Sequence, residues 1–133
     1  SFENGIIKKY QARRGGEVLK KIIETDQGSH RLGEVALGMN KEIQRVLKHP
    51  LFVEKVGGTL HVAIGASYPE CYVENPSSPE AKKFLNHYQQ KGIMNTSAQH
   101  VDIVTDFRSG GAGQEVYLDD VRLKVKNRQW FAE

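Results

Sequence analysis

The chain has 133 residues, of which 38% are hydrophobic and 26% charged, and 19 basic against 16 acidic side chains leave a net charge of +3. That is the composition of one globular domain able to bury a core without staples, and with no run of eighteen apolar residues no membrane-spanning helix is expected. A single cysteine, Cys71, excludes an internal disulfide framework and a thiolate-rich structural zinc site, and it points to a reducing, cytoplasmic setting.

Asn4-Gly5 predicts a turn and Ile6 to Ala12 a strand. Val18, Leu19, Ile22 and Ile23 fall at helical spacing, so Glu17 to Asp26 reads as an amphipathic helix ended by a left-handed Gly28. Leu32 to Leu37 is a strand, and Lys41 to Lys48 a short helix stopping before Pro50. Thr59 to Ile64 alternates most clearly, with Leu60, Val62 and Ile64 on one side and Thr59, His61 and Ala63 on the other. Pro79 to about Gln90 is a helix. His100 to Phe107 is a strand, and Asp119-Asp120 joins the strands Glu115 to Leu118 and Val121 to Val125 as a hairpin. The class is α+β: a β-rich mixed sheet or partial barrel with a few flanking helices.

The basic residues are scattered as pairs such as Lys8-Lys9 and Lys82-Lys83. The densest stretch, Arg122, Lys124, Lys126 and Arg128, lines one strand face and reads as solvated surface, so no nucleic acid is expected as a partner. His30, His49 and His87 carry no pattern, and Cys71 reads as a small buried or half-buried residue.

Three strands each offer a metal-capable side chain. Glu34 lies with Leu32 and Ala36, His61 lies opposite Leu60, Val62 and Ile64, and His100 and Asp102 share one side of their strand. A His-x-Asp pair presents an imidazole nitrogen and a carboxylate together, a mixed set suited to Zn²⁺, Co²⁺ or Mn²⁺. Tyr68, seven residues after His61, follows a glycine that lets the chain fold back over the same place. Each has a plainer reading: a strand histidine bonded within a wall, a chance His-x-Asp, a glutamate facing water. Periodicity alone does not say which strands are neighbours.

The segments Leu32-Gly33-Glu34-Val35-Ala36-Leu37-Gly38, Gly58-Thr59-Leu60-His61-Val62-Ala63-Ile64-Gly65 and Ser97-Ala98-Gln99-His100-Val101-Asp102 resemble, in order, three motifs of one family. It is the aminopeptidase S/aminopeptidase T family of dinuclear metallo-aminopeptidases. Tyr68-Pro69-Glu70-Cys71 is similar to the stretch that follows the family's histidine motif, and the Asn4-Gly5 strand and the Tyr117-Leu118-Asp119-Asp120 hairpin extend the resemblance over nearly the whole chain.

The resemblance implies that Glu34, His61, His100 and Asp102 ligate two divalent ions (Zn²⁺, Co²⁺ or Mn²⁺), with Tyr68 a further ligand or a catalytic partner. It implies a peptide substrate cut at its N-terminus and a cytoplasmic homodimer. Residues 1–133 would form the C-terminal metal-binding domain of a two-lobed enzyme, with an insertion at about 70–96. The family's earlier glutamate motif, which supplies a ligand and the general base, has no counterpart here and is expected in a missing N-terminal lobe. The isolated chain is therefore expected to bind metal poorly and to hydrolyse little. The alternative is a non-catalytic interaction module that keeps the fold, against which stands the competent residue at every one of the five positions.

Overall fold

The computed structural model describes residues 1–44, 50–110 and 114–133, with the backbone alone for 50 and 51. The chain divides into two compact units, Ser1–Glu34 with Val62–Asp102, and Val35–His61 with Ile103–Glu133. The class is the expected α+β, with open sheets.

The first unit begins with a hairpin of β1 (Phe2–Glu3) and β2 (Ile6–Ile7), which pairs Phe2 with Ile7 and Glu3 with Ile6. Asn4 and Gly5, at φ 51° and 72°, make a two-residue turn whose twist suits a hairpin. The expected strand through Ala12 stops at Ile7: the Ile7 amide donates to the His30 carbonyl at 2.9 Å, and Lys8, Lys9 and Tyr10 beyond it are exposed. Helix α1 spans Gly16–Ile23, with Glu17 in its first turn and Lys20 and Lys21 in its last, matched to the helix dipole. It buries only Ile23, while Val18 stays exposed.

Helix α1 ends at Glu24, and Gly28 is not left-handed as expected. A Cβ at Gly28 would instead stand 1.8 Å from the Thr96 carbonyl oxygen, so glycine is required there by a close approach of two backbones.

Strands β3 (Leu32–Leu37), β4 (Thr59–Gly65) and β5 (His100–Asp106) form one sheet in the order β3-β4-β5. After β4 a 3₁₀ turn, Pro69–Cys71, leaves Cys71 exposed rather than buried. Helix α2 (Pro50–Val53) belongs to the second unit and α3 (Pro79–Gln90) to the first. Helix α3 begins as the sequence prescribes: the Ser78 hydroxyl accepts from the Ala81 amide at 3.1 Å, and Pro79 takes the first turn, where no amide partner is needed. Its Tyr88 ring stacks on Phe84 and meets Tyr72 edge-on, so the 69–90 segment packs on itself. The core of this unit is Ile23, Ala63, Ile64, Leu85 and Met94.

The second unit carries a meander of β6 (Val116–Leu118), β7 (Val121–Lys126) and β8 (Gln129–Ala132), in register Leu118 with Val121 and Val125 with Trp130. Trp130 packs on Phe107 and donates its indole N–H to the Gly38 carbonyl at 3.2 Å. Arg122 pairs with Glu115 at 2.7 Å and Lys124 with Glu133, so the basic strand face carries its own counter-charges. The helix expected over Lys41 to Lys48 does not begin at Lys41-Glu42, which form a turn; its remainder from 45 on, like His49, lies outside the described residues. Among the described residues no helix is long and apolar enough to cross a membrane.

Candidate metal centre

Within the first unit, Glu34, Tyr68, His100 and Asp102 come together. Alternation along β5 sends His100 and Asp102 to one side, and the His100 Nε2 lies 3.3 Å from the Asp102 Oδ1. The same nitrogen lies 3.6 Å from the Glu34 Oε2 on β3. One carboxylate oxygen of Glu34 and one of Asp102 stand within 4.8 Å of each other. The Tyr68 ring lies against the His100 imidazole at 4.4 Å between centroids, tilted by 39°. His100 and Glu34 are largely covered, whereas Tyr68 is half exposed and marks the open side.

The other ring nitrogen decides the electrostatics. His100 Nδ1 lies 2.6 Å from the Ala66 carbonyl oxygen. A carbonyl only accepts, so Nδ1 carries the proton and donates it. In the neutral ring Nε2 is then a bare lone pair aimed at two carboxylates. That arrangement is repulsive unless a cation stands between them, whether a second ring proton or a metal ion.

The distances are compatible with the ligand edge of a shared ion. A charge-assisted N–H···O bond is about 2.7–2.9 Å long, and both contacts exceed it. Two donor atoms about 2.0–2.2 Å from one tetrahedral Zn²⁺ stand about 3.4 Å apart. The 3.3 Å and 3.6 Å separations match that ligand edge. Pinning Nδ1 on a backbone carbonyl is also the usual device that orients a metal-binding imidazole. The donor set fits a borderline divalent ion.

Local sequence explains the close quarters. The Gly65-Ala66 backbone crosses directly over Gly33, where a Cβ would stand 2.5 Å from the Gly65 oxygen and 2.6 Å from the Ala66 oxygen. Gly65 itself has φ 100°, and a Cβ on it would strike the Gln99 carbonyl at 2.1 Å. Glycine at 33 and 65 therefore brings the Ala66 carbonyl within reach of His100.

His61 belongs to the second unit, on the most buried face of β4, with 2% of its surface exposed. His30 and His87 lie elsewhere: the His30 carbonyl serves the hairpin, and the His87 ring neighbours Tyr88 on α3. The Ala66 carbonyl was not legible in the sequence, because a backbone oxygen has no residue signature.

An imidazole nitrogen held beside two carboxylates is a donor set of the kind borderline divalent ions take. The comparisons make the class specific: the family model for thermophilic metalloproteases (M29) matches residues 1–117, and the chain belongs to that family. It is 40% identical over 108 residues to aminopeptidase AmpS of Bacillus subtilis (strain 168), covering 78% of this chain and 24% of that protein. It is 37% identical over 105 residues to aminopeptidase T of Thermus aquaticus, covering 76% and 23%. With aminopeptidase 2 of Geobacillus stearothermophilus the identity is 32% over 108 residues, covering 78% and 24%. The chain thus spans about a quarter of the length of the curated relatives it matches. No solved structure gives a significant match.

Proposed function

We propose that this chain carries the metal-binding portion of a metallo-aminopeptidase that releases N-terminal amino acids from peptides. Glu34, His61, His100 and Asp102 are the ligands of two divalent ions, Zn²⁺, Co²⁺ or Mn²⁺. The observation that carries the reading is the His100 ring, proton fixed on the Ala66 carbonyl and bare nitrogen turned to Glu34 and Asp102. Within the first unit, Glu34 and Asp102 supply two carboxylates with one oxygen of each within 4.8 Å of the other.

When bound, such a metal pair supplies Lewis acidity and lowers the pKa of water towards neutrality. The chain's own residues orient it: the Ala66 carbonyl fixes the His100 tautomer, and the two carboxylates balance the charge. Tyr68, half exposed beside His100, donates a hydrogen bond from its hydroxyl to the substrate oxygen on which negative charge develops. The general base comes from a lobe outside these residues. In keeping with the family, the enzyme is a cytoplasmic homodimer and 70–96 is an insertion within residues 1–133.

A Co²⁺ titration followed by visible absorption tests the centre. Saturable binding in the full-length parent, lost in the H61A/H100A double variant, is expected; a full-length parent without saturable binding overturns the reading. Release of p-nitroaniline from an aminoacyl p-nitroanilide by the full-length protein tests the activity.

A further inference from the structure

We propose that Asp26, outside the ligand set, is the positioning residue of the centre, clamping the segment that launches β5 so that His100 meets the Ala66 carbonyl. This inference rests on the metal-centre reading and deepens it. The observation is a single carboxylate with an unusually full set of partners. Its Oδ1 accepts from the Gly28 amide at 2.8 Å, the Ser29 amide at 2.9 Å and the Ser29 hydroxyl at 2.9 Å. Its Oδ2 accepts from the Ser97 hydroxyl at 3.0 Å and the Ala98 amide at 2.7 Å. One oxygen thus holds the loop after α1, and the other holds the loop before β5.

From Ala98 the connection to the centre is short and continuous. The next carbonyl, Gln99, accepts from the Ala66 amide at 2.8 Å, and the next ring, His100, donates to the Ala66 carbonyl at 2.6 Å. Asn95 closes the other side: its Nδ2 donates to the Gly28 carbonyl at 2.9 Å and to the Gly65 carbonyl at 2.6 Å, and its carbonyl accepts from the Ser67 amide at 2.9 Å. The 26–29, 65–67 and 95–100 segments therefore form one hydrogen-bonded ring, with Asp26 joining the first to the last. Gly28 admits the Thr96 carbonyl into the same ring, since any Cβ there would occupy its place. Ser29, fully buried, has its hydroxyl spent on Asp26 alone, accepting from the Asp26 amide and donating to its carboxylate.

The Asp26 carboxylate bonds to Gly28, Ser29, Ser97 and Ala98 and to none of the proposed ligands, so Asp26 acts through His100. Outer-shell partners of metal ligands typically matter by about 10–100-fold in metal affinity. A purely structural role would lower stability and leave the imidazole untouched in whatever protein stays folded.

The test uses the protein labelled with ¹⁵N-histidine. In the metal-free parent, the His100 nitrogens should report a single Nδ1–H tautomer. In folded D26N, whose single amide oxygen cannot accept on both the Gly28–Ser29 and the Ser97–Ala98 sides, they should report a mixture of tautomers, and Co²⁺ affinity should fall about 10–100-fold. S97A, which removes one bond from Oδ2, should show a smaller change of the same kind and serves if D26N does not fold. Ile23→Val, in the same unit and destabilising through packing, should leave the tautomer and the affinity unchanged. Parent-like His100 signals in folded D26N, or in S97A where D26N does not fold, overturn the proposal. Failure of the parent to bind Co²⁺ counts against the metal-centre reading instead, because the tautomer readout needs no metal.

Discussion

Gly33→Ala puts the packing around the centre to the sharpest test. The glycine has no left-handed φ, so alanine can adopt its backbone and the change is steric alone. The added methyl would lie 2.5 Å from the Gly65 oxygen and 2.6 Å from the Ala66 oxygen, and real Cβ atoms essentially never come under 3.0 Å of a neighbour. The two backbones must part by about half an ångström. A bond of 2.6 Å from His100 to the same Ala66 oxygen is stretched or broken by such a shift. Overpacking costs about 1–3 kcal/mol, and the lost hydrogen bond about 0.5–1.5 kcal/mol more. The expected result is a drop of about 2–4 kcal/mol in urea unfolding, with Co²⁺ bound about 10–100-fold more weakly. Gly16→Ala, where a Cβ meets nothing within 4 Å, is the control and should be neutral or slightly stabilising. A G33A protein with parental stability and parental Co²⁺ affinity would refute the idea that this crossing holds His100.

Two further outcomes follow from the same geometry. The Ala98 amide above all, helped by Ser29, Ser97 and Gly28 and opposed by partial burial, holds the Asp26 carboxyl well below the usual carboxylate range. Its folded value lies below the roughly 3.9 of an unfolded chain, so its contribution is present in full above about pH 4 and is lost as acid protonates it. D26N should be less stable than the parent at neutral pH and lose less on further acidification; parallel acid limbs in the two proteins would contradict this. Tyr68→Phe in the full-length enzyme should lower kcat by about 10²–10³ with Co²⁺ affinity held, and an unchanged kcat would remove Tyr68 from the reaction.

The parts of the fold with strong local signals were open to reading in advance. Strands β3, β4 and β5 emerge within a residue or two of their alternating runs, and α3 matches its Ser78-Pro79 start. Strand β8 escaped notice because its turn, Asn127-Arg128, holds two left-handed residues without a glycine to announce them. The strand after Asn4-Gly5 looked too long because exposed Lys8 to Tyr10 keep an extended composition after their pairing ends. At the centre, alternation put His100 and Asp102 on one side, but their meeting with Glu34 depends on sheet order, which no single strand encodes. Gly28 showed the opposite failing: its residue type was informative, yet it answered a neighbouring backbone rather than a helix end.

The Ala66 peptide unit has both of its polar groups committed, the amide to Gln99 and the carbonyl to His100. A carbonyl belongs to every amino acid, so no point mutation at 66 can delete the group that orients the imidazole, and only proline there would remove the amide. The side chain at 66 can drift while its contact persists. The contact is inherited through the glycines on either side, 33 and 65, which hold the strand crossing open. Natural variation would therefore record this part of the centre as a rule against Cβ atoms nearby and leave the position that makes the bond free to change.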